Sequence, residues 1–305
     1  MTIKELLESV RRVEVRTNRL VNDMMVGAYL SHFKGRGMDF EELREYMPGD
    51  EVRDIDWNVT YRMGRPFVKR FREERELAMV IALDVSGSSA FGSMLRSKRE
   101  FAAEIAGTLA ISAARSSDKV ALLLFTDQVE LFVPPRKGRR HILRLIREML
   151  FFEPKHRGTN VPAALAFLNH LLHRRSIVFL LTDFLHSFGE SAAAVRPGRD
   201  TLQELGLTNA RHDLVCIHLH DPRESALPAA GLVTIEDAET GELLEIDSNR
   251  ASVREKFART NADRLAELDR SLRRAGVDTL SFTTDQPFAQ TLQSFFETRR
   301  GRRRG

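Results

Sequence analysis

With 305 residues, 42% hydrophobic and 30% charged, the chain has the balance of a folded globular protein, long enough for one large domain and a smaller one. No run approaches the ~18 uninterrupted apolar residues of a membrane helix, and Met1-Thr2-Ile3-Lys4-Glu5 lacks the apolar core of a secretory signal, so a cytoplasmic protein with no membrane span is expected. The formal charge of +4 sets 47 basic against 43 acidic residues, but five of the basic ones are Arg299, Arg300, Arg302, Arg303 and Arg304, which reads as a solvated tail and leaves no basic face for nucleic acid.

In chain order, residues 1–30 carry Leu6, Leu7, Val10, Val13, Leu20 and Met24 at helical spacing among charges, predicting an amphipathic helix with a break. Gly35-Arg36-Gly37 signals a loop, and Phe40 to Tyr46 a short helix or turn ended by Met47-Pro48-Gly49-Asp50. Asp54-Ile55-Asp56-Trp57 holds the only tryptophan and precedes a strand at Phe67-Val68-Lys69-Arg70-Phe71. Within residues 36–76, Asp50, Glu51, Asp54 and Asp56 alternate with Arg53, Arg62 and Arg65, which reads as a salt-bridge and capping network first and a partner-docking segment second.

From residue 78 strands and helices alternate. Strands are predicted at about 78–83, 119–126, 129–133, 176–182, 213–219 and 279–283, and helices at 93–115, 138–150, 162–174, 199–210, 251–275 and 285–298. Such a succession implies a doubly wound α/β fold with a mostly parallel sheet. The pair turning at Asp127-Gln128 reads as an antiparallel edge hairpin, and the segments flanking Glu239-Thr240-Gly241-Glu242 as a second hairpin inserted at about 221–250. The expected domains are therefore an N-terminal α+β subdomain over 1–76, an α/β domain over 77–298 and a basic tail over 299–305. Cys216, the single cysteine, lies in the apolar run Leu214-Val215-Cys216-Ile217 and reads as core.

The string Asp84-Val85-Ser86-Gly87-Ser88 follows the apolar strand and puts one carboxylate and two hydroxyls at alternating positions of a loop. Hard oxygen donors in this arrangement suit Mg²⁺ or Mn²⁺; the plainer alternative is a strand end capped by an N-cap cluster. In an open parallel sheet ligands bind where strands end. Asp183 stands at the end of 176–182, and Thr159 in the loop before the helix at 162, so five oxygen-bearing residues come from three loops: Asp84, Ser86, Ser88, Thr159 and Asp183.

This pattern resembles the von Willebrand factor A-type domain and its metal-ion-dependent adhesion site. The resemblance implies a Mg²⁺ on the hydroxyls of Ser86, Ser88 and Thr159, with Asp84 and Asp183 bonding directly or through water, and a sixth position open to a carboxylate of a partner protein. A narrower resemblance runs over nearly the whole chain. The segment from Gly37 to Glu76, with Pro48-Gly49-Asp50 and Asp56-Trp57 in register, and the Asp221-Pro222-Arg223-Glu224 turn are similar to the bacterial domain-of-unknown-function 58 family, von Willebrand A-like proteins associated with MoxR. It implies a MoxR-type AAA+ ATPase as partner and a client protein whose assembly or maturation the pair serves. No enzyme activity follows from it.

A different class of function is a metal-dependent phosphatase with Asp84 as nucleophile. Haloacid-dehalogenase-like enzymes need a second Asp two residues on, where this chain has Ser86, and no phosphate-gripping lysine is evident. No G-x-x-x-x-G-K-[ST] is present. His218 with His220, and His170 with His173, are spaced to hold a transition metal but lack an evident third ligand, and read as core-edge or solvated positions.

Overall fold

The computed structural model describes residues 3–21, 37–74, 78–93, 96–185, 201–238 and 240–302. Two compact units divide it, one formed by Met1–His32 with Ala78–Gly305, the other by Phe33–Leu77.

In the smaller unit β1 (Gly37–Glu45) pairs antiparallel with β2 (Phe67–Glu74) around an irregularity between Phe40 and Glu42. The helix or turn expected at Phe40–Tyr46 is thus a strand. Its glutamates favour a helix only locally, and cross-strand pairing decides the matter. Between the strands, α2 (Trp57–Met63) starts at Asp56, whose carboxylate accepts from the Asn58 and Val59 N–H groups at 3.0 and 3.3 Å, and ends at Gly64 in the left-handed region that glycine adopts without penalty. Arg44 grips Asp50 at 2.6 and 2.9 Å and Arg65 reaches Glu45 at 3.2 Å, so the acidic and basic residues form caps and ion pairs, as their pattern suggests.

The larger unit is built on a six-stranded sheet of order β10-β7-β6-β3-β4-β5. Its strands are β3 (Ala78–Asp84), β4 (Lys119–Phe125), β5 (Val129–Arg136), β6 (Ile177–Thr182), β7 (Asp213–His220) and β10 (Asp278–Thr283); all neighbours run parallel except β5, the antiparallel edge. Met79 to Asp84 and all of β6 are buried, as central strands covered on both faces must be. On one face Val80, Ala82, Leu123, Leu180 and Cys216 pack against α5 (Val161–Leu171), α6 (Thr201–Arg211) and α8 (Ala251–Arg274). The alternate strand residues point the other way, where Phe179 meets Phe296 of α9 (Ala289–Arg302) edge-on at 6.4 Å. Burial pushes the Cys216 thiol up, which fits a core residue. Between β7 and α8 come the short α7 (Pro222–Ser225) and the hairpin of β8 (Leu232–Glu236) and β9 (Leu243–Asp247), where an insertion is expected.

Two expected boundaries move. Helix α1 (Ile3–Leu20) belongs to the larger unit, because it buries Val10, Val13 and Thr17, and its Glu14 and Arg16 pair with Arg139 and Glu104 at 2.7 and 2.8 Å. Those partners lie on α4 (Arg139–Phe151) and α3 (Lys98–Arg115). The break expected at 76 therefore becomes a break at each end of 33–77. The basic tail also shrinks: α9 runs to Arg302, and Arg299 spans Asp213 and Asp278 at 2.6 and 2.7 Å. Residues 22–30 of the helix expected over 1–30, Gly35-Arg36 and Glu239 lie outside the described residues.

Candidate metal and ligand site

The sheet's chain order runs outward from β3 in both directions, so β3 and β6 flank its switch point, and both carry a carboxylate at the carboxyl end. After Asp84 the chain turns at once. The Ser86 N–H donates to Asp84 Oδ1 at 2.9 Å, and Gly87–Ala90 form one 3₁₀ turn in which the Ser89 hydroxyl donates to the Ser86 carbonyl at 2.7 Å. This turn brings Ser86 Oγ and Ser88 Oγ to 3.2 Å, both buried. From β6, the Thr182 hydroxyl donates to Asp84 Oδ2 at 2.6 Å, and the Leu185 N–H to Asp183 Oδ1 at 3.2 Å. Between them Phe184, buried, holds φ at 51°, a left-handed conformation that a bulky residue adopts only under constraint.

Thr159 is half-buried in the loop leading to α5. Two backbone bonds fix that loop: Gly87 N–H to the Arg157 carbonyl at 2.8 Å and Asn160 N–H to the Thr126 carbonyl at 2.9 Å, while the Asn160 side chain caps α5. Asp84, Ser86, Ser88 and Asp183 thus share one buried cluster, and Thr159 lies in the loop bonded to it. The hairpin tip closes on the same turn. A Cβ on Gly87 would stand 2.1 Å from the Ala238 carbonyl oxygen, so only glycine allows this approach.

The sequence pattern did not reveal two residues here. Lys98, 2% exposed at the first turn of α3, places its ammonium 2.6 Å from Asp183 Oδ2 and on the Glu224 carboxylate of α7. A lysine at a helix N-terminus opposes the helix dipole, and that misfit was the available signal. Glu224 completes a capping box with Asp221, visible as D-x-x-E. Asp221 itself, fully buried, accepts from Ser93, Thr284 and the Arg223 N–H, tying three loops together. Lys98 is thus a buried lysine beside Asp183, paired with two carboxylates.

The two aspartates differ electrostatically. Burial and the charge of Asp183 push Asp84 up to about 7, against the hydrogen bonds from Ser86 and Thr182. Burial also works on Asp183, but the Lys98 ammonium, with the Ser88 hydroxyl, holds it below the usual carboxylate range. Among the described residues, one carboxylate has its cation and the other has only dipoles. Among the described residues no three His, Cys, Asp or Glu side chains are grouped to hold a metal; the donors here are carboxylates and hydroxyls, a hard set fit for Mg²⁺.

The sequence profile described as "Protein of unknown function DUF58" matches residues 42–267. Uncharacterized proteins of Mycobacterium tuberculosis and Mycobacterium bovis are 28% identical over 298 residues, covering 97% of this chain and 90% of each relative. Among solved structures, an aerotolerance-related membrane protein from Bacteroides fragilis aligns over 74% of this chain and 99% of its own, with 14% identity and a TM-score of 0.47. The VWA domain of SpRpn10 aligns over 71% and 93%, with 11% identity and a TM-score of 0.35. No helix among the described residues is long and apolar enough to cross a membrane.

Proposed function

The chain belongs to the DUF58 family, and we propose that it works there as a divalent-cation-dependent protein-interaction module. The observation that carries this reading is Asp84, a buried carboxylate faced by hydroxyls and without, among the described residues, a counter-cation such as Asp183 has in Lys98. Ser86, Ser88, Thr159 and Asp84 would hold Mg²⁺, with Asp183 beside it; the ion's chemistry there is an electrophilic position for a partner's carboxylate. The protein's own part is preorganisation. The 3₁₀ turn aims two hydroxyls, Thr182 orients Asp84, and Lys98 keeps the second aspartate charged while balancing it, so that the ion meets a site not over-supplied with negative charge.

The partner in this reading is a cytoplasmic AAA+ ATPase of the MoxR type, with a client protein supplying the carboxylate. Trp57 and Tyr61, one turn apart on α2 and 66% and 91% exposed, support a docking role for the smaller unit. No catalytic residue is assigned. The test is Mg²⁺ calorimetry on the wild type and Asp84→Ala, followed by capture of the ATPase with and without chelator. The reading expects saturable Mg²⁺ binding that Asp84→Ala removes and capture that needs the ion. Capture by both proteins regardless of chelator would overturn it, and phosphatase turnover lost in Asp84→Asn would replace it.

A further inference from the structure

A second polar cluster lies close to Asp183. His218 and His220 are two residues apart on β7, and their rings stack with centroids 5.1 Å apart at 20°. Each turns one nitrogen to a hydroxyl of the β10 residue in register with it, His218 Nδ1 to Ser281 Oγ at 3.2 Å and His220 Nε2 to Thr283 Oγ1 at 3.0 Å. His220 Nδ1 and the Nε and Nη1 of Arg264 on α8 are buried without a hydrogen-bond partner, whereas the His218 ring has the Asp183 backbone within hydrogen-bonding reach. Among the described residues, these three atoms belong to two side chains that lie within electrostatic reach of each other. His218 is 3% exposed, while His220 and Arg264 are half-buried and give the cluster a route to solvent.

Buried polar groups in folded proteins are nearly always hydrogen-bonded, so three gathered together point to something they bind. Burial, first of all, then the neighbouring imidazole and the Arg264 charge, holds His218 down to about 3 and depresses His220, so both rings are neutral. In the tautomer in which the Ser281 and Thr283 hydroxyls donate to the nitrogens they face, the ring protons sit on His218 Nε2 and His220 Nδ1. In that tautomer the neighbourhood offers imidazole N–H groups and a guanidinium. Asp183 and Glu224 support the guanidinium's charge against its burial. A transition metal would have to sit beside that fixed positive charge; an oxyanion is attracted to it.

We infer that His218, His220 and Arg264 form a binding site for a small oxyanion of the phosphate or carboxylate class, separate from the Asp84 cation site. Phe184 links the two, since it follows Asp183 directly and its ring packs on His218 with centroids 6.3 Å apart. The test uses the full chain in chelator at constant ionic strength, titrated calorimetrically with inorganic phosphate and, separately, acetate, while the ring ¹⁵N resonances of His218 and His220 are followed. The site predicts saturable binding of at least one anion, shifted ring resonances, affinity at least tenfold weaker in Arg264→Gln, and little change in Asp84→Asn; the tighter anion identifies the class. If Arg264→Gln does not fold, His220→Gln makes the same comparison. The inference is overturned if neither anion saturates, if Arg264→Gln or its substitute binds like wild type, if Asp84→Asn abolishes binding, or if the histidines instead take up Zn²⁺ that His218→Gln loses. Failure of the cation site in its own titration leaves this outcome unaffected.

Discussion

Lys98 shows how far a single residue sets the state of the site. Its ammonium is buried between Asp183 and Glu224, so removing it leaves two carboxylates without the cation they are hydrogen-bonded to. Lys98→Met is expected to lose about 3–5 kcal/mol in urea unfolding, and Mg²⁺ should restore part of it; an unchanged midpoint would show the pair to be without energetic consequence. The buried titrating groups oppose each other with pH. His218 has its folded value pushed from 6.5 to about 3, so the unfolded chain takes up the proton first; its stabilising effect is full above 6.5 and drains away as pH falls toward 3. Asp84 is raised from 3.8 to about 7, so the folded chain takes up the proton first; its burial cost is full above 7 and relieved as pH falls toward 3.8. In chelator, His218→Gln should flatten the acid-side loss of Tm, and Asp84→Asn should raise Tm more at pH 8 than at pH 5. Parallel curves for all three proteins would contradict both shifts.

At the scale of elements, the site depends on how closely two turns meet. Gly87→Ala forces its methyl into the Ala238 carbonyl, which is backbone and cannot swing aside. The variant should lose about 1–3 kcal/mol, as overpacked sites do, and bind Mg²⁺ more weakly because the Ser86 and Ser88 turn shifts with the hairpin tip; calorimetry beside thermal unfolding checks both. The elements themselves were legible where one force dominates. The central strands announce themselves as apolar runs such as Met79 to Leu83, and the rule that such sheets bind ligands at strand ends pointed to Asp84, Ser86, Ser88 and Asp183, which the fold brings together, and to Thr159 in the loop bonded to them. β1 was not legible, because Glu41-Glu42 and Glu45 favour a helix until β2 is there to pair with. Lys98 and Glu224 were hidden by distance: they are 126 residues apart, and neither has a spacing rule that links it to Asp84.

Across the whole molecule, the larger unit is discontinuous in sequence. Its first helix reaches over the inserted residues 33–77 to its own partners, with Arg16 and Glu104 separated by 88 residues and Glu14 and Arg139 by 125. A chain starting at Ala78 keeps every strand of the main sheet but uncovers the surface that Val10, Val13 and Thr17 bury. It should melt well below a chain in which only 33–77 is replaced by a short linker, and equal melting temperatures would show that α1 adds nothing. Sequence could not give this boundary, because an amphipathic helix shows which face is buried but not against what. The family match, starting at residue 42, does not include α1 either. That arrangement also sets an order of events during synthesis. The helix leaves the ribosome well before the side chains it needs on α3 and α4, which come only after the whole inserted unit has been made. Until Arg139 emerges, α1 presents an unsatisfied apolar stripe, and this waiting period is when the growing chain is most open to capture by chaperones or by other nascent chains.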